Sequence, residues 1–72
     1  MDKQLTHIEN KALRIIVNQS NFGKLKLPKL SSYIRLLSLR MNRTEDEVKE
    51  VLKTLEEKEY IRVRDNQIEF RG

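Results

Sequence analysis

Between residues 44 and 70 the apolar side chains change their period, so the chain must be helical before the change and extended after it. Val48, Val51, Leu52 and Leu55 recur at the 3.6-residue spacing of one helix face, whereas Ile61, Val63, Ile68 and Phe70 take alternate positions of two short runs. Thr44-Glu45-Asp46-Glu47 marks the start of the helix. It is a capping box, in which the Thr44 hydroxyl accepts from the amide three residues on and Glu47 reaches back to the Thr44 amide. The acids of this first turn also suit the positive end of the helix dipole. The extended runs flank Asp65-Asn66, two residues that tolerate positive φ and fit a two-residue hairpin turn. Such a turn pairs Val63 with Ile68 on one face and Arg62 with Glu69 on the other, so side-chain pattern and turn chemistry select the same register.

Upstream, Thr6-His7-Ile8-Glu9 is a second capping box, and Leu5, Ile8, Ala12, Ile15 and Ile16 recur at helical spacing. Ser20-Asn21-Phe22-Gly23 ends this first helix, with Asn21 or Gly23 as its left-handed cap. Residues 23–30 alternate Lys and Leu as far as Pro28, which predicts a short edge strand or an extended link, since proline cannot donate to a ladder. Ser31-Ser32 offers an N-cap. Leu30, Ile34, Leu37 and Met41 form the apolar stripe of a second helix of about ten residues, closed by a tight turn at Asn42. The expected order is helix, strand, helix, helix, hairpin. Leu36 and Leu39 lie off the main stripe, where they either pack on the first helix or form an apolar patch that meets a second copy or a protein partner.

A chain of 72 residues is expected to fold as one domain over residues 1–72, close to the lower limit for a core without staples and too small for a deep substrate cleft. It has no cysteine, which excludes disulfides and cysteine-ligated zinc. No apolar run approaches the roughly 20 residues that span a bilayer, and Met1-Asp2-Lys3-Gln4 shows no basic-then-apolar leader pattern. The expected setting is therefore the cytoplasm (the nucleoid, if prokaryotic), with no membrane partner. Asn18-Gln19-Ser20 and Asn42-Arg43-Thr44 match the glycosylation sequon, but with no secretion signal they are read as chance matches. The charge is unevenly spread. Residues 1–43 carry nine Lys and Arg against two acids, while residues 44–72 carry six against nine. A basic half suits a polyanion, with nucleic acid first.

Residues 37–63, LSLRMNRTEDEVKEVLKTLEEKEYIRV, resemble the centre of a winged helix-turn-helix domain. Leu37, Met41, Asn42, Thr44, Val48, Leu52, Leu55 and Ile61 fall on the superfamily's pattern of helix, tight turn, capped recognition helix and first wing strand. With the first helix and the wing included, the likeness covers almost the whole chain. It implies an α+β fold of three helices, a short first strand and a C-terminal two-stranded wing, with duplex DNA as partner. Winged helices also serve as docking modules for proteins, so the resemblance bears on fold more than on function. Two residues depart from the pattern. Arg43 stands where the turn usually holds a small apolar residue, and Glu59 stands where the helix usually ends on glycine. Either Glu59 takes a strained positive φ or the helix closes differently.

In a docked helix-turn-helix the start of the second helix of the motif faces the bases. That surface comprises Asn42, Arg43, Thr44, Glu45, Asp46, Lys49, Glu50 and Lys53. Three consecutive acids there oppose phosphate, since a partly screened like-charge contact costs on the order of 1 kcal/mol or more. The cations point elsewhere: Lys24, Lys26 and Lys29 precede the second helix, which Ser31 and Ser32 open; Arg40 and Arg43 flank the turn; Arg62 and Arg64 lie on the outer face of the wing. Hydroxyls and free amides at a helix start take phosphate, and a wing arginine can enter a narrow minor groove. Arg62 has Glu69 opposite it and Arg64 has no acid, so Arg64 is the stronger candidate. The expected DNA-binding set is thus Lys24, Lys26, Lys29, Ser31, Ser32, Arg40, Asn42, Arg43, Thr44, Lys49, Arg62 and Arg64.

The lone His7 sits inside a capping box, and a zinc site needs three or four ligands, so His7 is expected to be structural. Gly23-Lys24 lacks the frame of a phosphate-binding loop. No catalytic residue, metal or cofactor is expected, and the chain is not expected to be an enzyme. The leading expectation is a small DNA-binding protein, such as a transcription regulator or a phage, plasmid or replication accessory factor. The alternative is a winged-helix protein-interaction module, favoured by the acidic third helix and the spare leucines.

Overall fold

The structure, a computed structural model, describes residues 4–71; the leader reading of Met1, Asp2 and Lys3 falls outside these. Three helices, α1 (His7–Ser20), α2 (Leu30–Met41) and α3 (Glu45–Glu57), precede two strands, β1 (Ile61–Arg64) and β2 (Gln67–Phe70). The strands form an antiparallel hairpin, and the order is consistent with winged-helix topology. No helix among the described residues is long and apolar enough to cross a membrane.

Both capping boxes form. The Thr6 hydroxyl accepts from the Glu9 amide at 3.2 Å while the Glu9 carboxylate accepts from the Thr6 amide at 3.1 Å; Thr44 and Glu47 repeat the exchange at the head of α3. Each helix ends on a left-handed residue that is not glycine: Asn21 at φ 50°, Asn42 at φ 55° and Glu59 at φ 68°. The bonds that close them are of the Schellman kind. The Phe22 amide donates to Val17 O at 2.9 Å, the Arg43 amide to Ser38 O at 3.0 Å, and the Tyr60 amide to Leu55 O at 3.0 Å. Asn21 is thus the cap of α1, and Phe22 (φ 60°) and Gly23 (φ 89°) continue its left-handed turn.

The hairpin has the expected register, Val63 opposite Ile68 and Arg62 opposite Glu69. Asp65 (φ 50°) and Asn66 (φ 61°) both take the positive φ of a type I′ turn.

Two expectations fail between α1 and α2. Residues 23–30 are not a strand. The Lys24 and Leu25 amides are spent on Asn21 O (3.3 Å) and Ser20 O (2.7 Å) in the turn that ends α1. Pro28 has no amide to offer. What remains is one antiparallel bridge, Lys29 to Gln67 on β2. Nor do Ser31 and Ser32 cap α2. The helix begins at Leu30, ahead of both serines, with Lys29 at the cap position and no side-chain cap bond. The Asn66 carbonyl in the wing turn serves instead, accepting from the Leu30 amide at 2.7 Å.

The core takes residues from every helix and both strands: Ala12 and Ile16; Tyr33, Ile34, Leu37 and Met41; Val48, Leu52 and Leu55; Ile61 and Ile68; with Leu27 from the connecting loop. Leu36 packs partly against it, while Leu39 is 77% exposed, so the two off-stripe leucines part company. Lys58 joins the ends of the helical layer. Its ammonium pairs with Glu9 at 3.1 Å and also donates to the Gln4 carbonyl.

Candidate nucleic-acid interface

Two backbone contacts fasten the wing turn to the start of α2. The Leu30–Asn66 bond and the Lys29–Gln67 bridge set the hairpin turn beside the first turn of α2, with the exposed loop lysines Lys24, Lys26 and Lys29 leading into it. α3 closes the third side. Between these elements lies a cleft of about 280 Å³ lined by Leu30, Ile34, Lys49, Leu52, Lys53, Glu56 and Val63. It continues into a second of about 200 Å³ lined by Leu30, Ser31, Ile34, Glu45, Lys49 and Asn66. Leu30, Ile34 and Lys49 belong to both, so Ser31 on α2, Lys49 on α3 and Asn66 in the wing share one surface. Ser31 and Ser32 are exposed in the first turn of α2, where helix amides lack intrahelical acceptors and point outward.

The cations of the turn do not line this cleft. Arg40 is nine residues beyond Ser31, roughly 14 Å along the axis at 1.5 Å per residue. Arg43 is paired with Glu47 at 3.5 Å, with both side chains about half exposed. An exposed pair of this kind is worth at most about 1 kcal/mol, so it holds the guanidinium only loosely. Thr44 is engaged in its capping box, and Asn42 supplies the left-handed cap of α2. On the wing, Arg62 faces Glu69 and Arg64 faces Gln67, both arginines being exposed. The outer edge of β1 is closed by Glu56, whose carboxylate accepts from the Val63 amide at 3.1 Å. That contact occupies one amide of a strand edge of the sort that recruits other chains.

Of the twelve residues expected at the interface, Ser31 and Lys49 are brought into one cleft. Lys29 is tied beside it through Gln67, and Lys24 and Lys26 lie on the loop leading in. Arg40, Asn42 and Arg43 form a separate group at the far end of α2. Sequence reasoning left Asn66 and Val63 out of the site, and it placed Lys53 on the surface of the third helix without including it in the expected binding set. Asn66 was legible as a turn residue, but nothing in its spacing says that its carbonyl caps α2.

Tyr33 was also missed, as a core residue. It lies one position from Ile34 on the buried side of α2, and burial pushes its phenol up to about 12, with the nearby Arg40 charge working against that rise. Among the described residues no group of three or more His, Asp or Glu side chains is arranged to hold a metal ion. Compared with known proteins, the chain matches no protein family, no curated protein and no solved structure.

Proposed function

We propose that the chain is a winged-helix DNA-binding protein that engages duplex DNA chiefly through its phosphate backbone, in the manner of a small regulator or of a phage, plasmid or replication accessory factor. One observation carries the proposal: the docking of the wing turn on the start of α2, which joins Ser31, Lys49 and Asn66 in a single cleft flanked by the loop lysines. Outward amides and hydroxyls of a helix start, together with cations from three elements, are the groups that bind phosphate. Glu45 stands inside the same cleft, which argues against deep insertion of α3 and for modest sequence preference. Arg64 is the wing residue suited to a narrow minor groove.

The test is a titration of labelled protein with A·T-rich and G·C-rich duplexes at two salt concentrations. Neutralising about four phosphates gives a slope near −3.6 in log affinity against log salt, about a hundredfold loss between 50 and 200 mM. Saturable shifts at Lys26, Ser31, Lys49 and Arg64 are expected. No binding at low salt sinks the proposal. A second reading, a protein-docking module, is favoured by the 77% exposure of Leu39; salt-insensitive self-association lost in Leu39→Ser would support it.

A further inference from the structure

We infer that the outward face of α1 is a second phosphate-binding surface, so that one copy of the chain bridges two duplex segments. The inference rests on the DNA-binding reading above and extends it to the other side of the molecule.

His7, Asn10, Lys11, Arg14 and Asn18 fall at i, i+3, i+4, i+7 and i+11, which is one stripe of a helix. All five are exposed, and with the half-buried Ile15 they line a groove of about 490 Å³ along α1. The stripe contains no acid. The one acid of α1, Glu9, is turned aside to the Thr6 amide and to Lys58, which hold its carboxyl below the usual range. Among the described residues neither Lys11 nor Arg14 is paired with a carboxylate. The solvated face of α3, by contrast, mixes its charges. The exposed positions of α3 carry Lys49 and Lys53 among acids such as Glu45, Asp46, Glu47, Glu50, Glu56 and Glu57. The α1 stripe carries cations alone, as does the exposed side of α2 with Arg35 and Arg40.

Its direction sets it apart from the first surface. Ala12, Ile16 and Ser20 are buried on the opposite side of α1, the side that packs on α3, α2 and β2. No α1 residue lines the cleft between α2, α3 and the wing. The thinnest dimension of the molecule is 20 Å, more than twice the roughly 8 Å screening length at physiological salt. Two duplexes on opposite faces therefore repel one another little through the protein.

The chemistry fits a nucleic-acid backbone better than a lipid surface. From His7 to Arg14 the helix rises about 10 Å, which faces about three phosphates of one strand. Lysine, arginine, imidazole and carboxamide all donate to phosphate oxygens. A helix that lies in a membrane interface needs a broad apolar face to insert, and here the stripe is polar with only Ile15 at its margin.

The experiment mixes two short duplexes, one carrying a donor dye and one an acceptor, with the full chain at low salt, and reads energy transfer between them. Wild type is expected to bring the duplexes together. The double variant Lys11→Glu/Arg14→Glu is expected to bind a single duplex within about twofold of wild type and to lose at least tenfold of the bridging. Lys11→Gln/Arg14→Gln should fall between them, and circular dichroism checks that each variant is folded. Bridging that survives the double reversal overturns the inference, and so does single-duplex binding by wild type without bridging. Absence of any duplex binding overturns the parent proposal and this one with it. In a parallel arm with phosphatidylserine vesicles, binding that the reversal abolishes while bridging persists assigns the stripe to membranes instead.

Discussion

The hydroxyl of Tyr33 is buried with no hydrogen-bond partner among the described residues. A buried donor left unmade costs about 1–3 kcal/mol, so Tyr33→Phe should raise the free energy of unfolding by about 1 kcal/mol near neutral pH. The same burial makes a pH prediction. Ionisation of the phenol is held up to about 12 in the folded chain, against 10.0 for the free side chain. The unfolded chain therefore gives up its proton first, and the stability linked to Tyr33 is whole below pH 10 and lost as the pH rises from 10 through 12. Urea unfolding at a series of alkaline pH values should show this decline in wild type and a flatter profile in Tyr33→Phe. Equal slopes in the two proteins would contradict it. The residue was hard to see in the sequence because a tyrosine beside a leucine–isoleucine stripe fits the edge of the buried face as well as its centre.

At the scale of the element, the three helix ends were largely readable. Capping boxes are local devices, and Thr6–Glu9 and Thr44–Glu47 form where their spacing says they should. Glu59 is the instructive case, since one of the two closures open to it, a positive φ, is the one adopted, at 68°. The Glu59 and Tyr60 amides donate to Glu56 O and Leu55 O, both at 3.0 Å, and those bonds hold the residue left-handed. A left-handed conformation costs an L-residue roughly 1–2 kcal/mol, and glycine escapes that cost while losing more backbone freedom on folding. Glu59→Gly is thus expected to stabilise the chain by about 0.5–1 kcal/mol, raising its thermal midpoint by several degrees. A lowered midpoint would mean that the side chain of Glu59 stabilises the fold by more than its backbone costs. The connection between α1 and α2 was less legible. Lys-Leu alternation is the signature of a strand, but a strand also needs free amides and a partner edge. The closing turn of α1 takes two of those amides and Pro28 lacks a third.

In the whole molecule, Lys58 fastens the beginning of the helical layer to its end. Its ammonium lies 3.1 Å from Glu9, with the side chains 25% and 14% exposed, across 49 residues of sequence. The Thr6 amide and Lys58 favour the charged form of Glu9 and lower its pKa from 4.5, against a smaller opposing effect of burial. Stability from this group is present above about pH 4.5 and lost as the pH falls through the lowered value. Glu9→Gln should therefore lower stability at pH 7 and reduce its loss on acidification, as read by thermal melts between pH 7 and 3. An unchanged acid limb would show that the contact adds nothing. The basic surface spreads across the molecule in the same tertiary way. Of the cations expected to act together, Lys29 and Lys49 meet around the wing turn, whereas Arg40 and Arg43 stand at the far end of α2. Lys11 and Arg14 form a stripe of their own, which was present in the sequence as an acid-free helical spacing.

By itself the sequence determined the identity of the three helices and the hairpin, the capping boxes that open α1 and α3, and the register of the wing. Each of these depends on residues no more than a few positions apart, so the spacing of side chains and the φ each residue tolerates are enough to specify them. The tertiary structure alone decided which end of α2 meets the wing, what caps that end, and which of Leu36 and Leu39 is left in water. The first two follow from the Asn66 carbonyl accepting from the Leu30 amide across the chain. Such contacts form between groups far apart in sequence, and no local pattern records them.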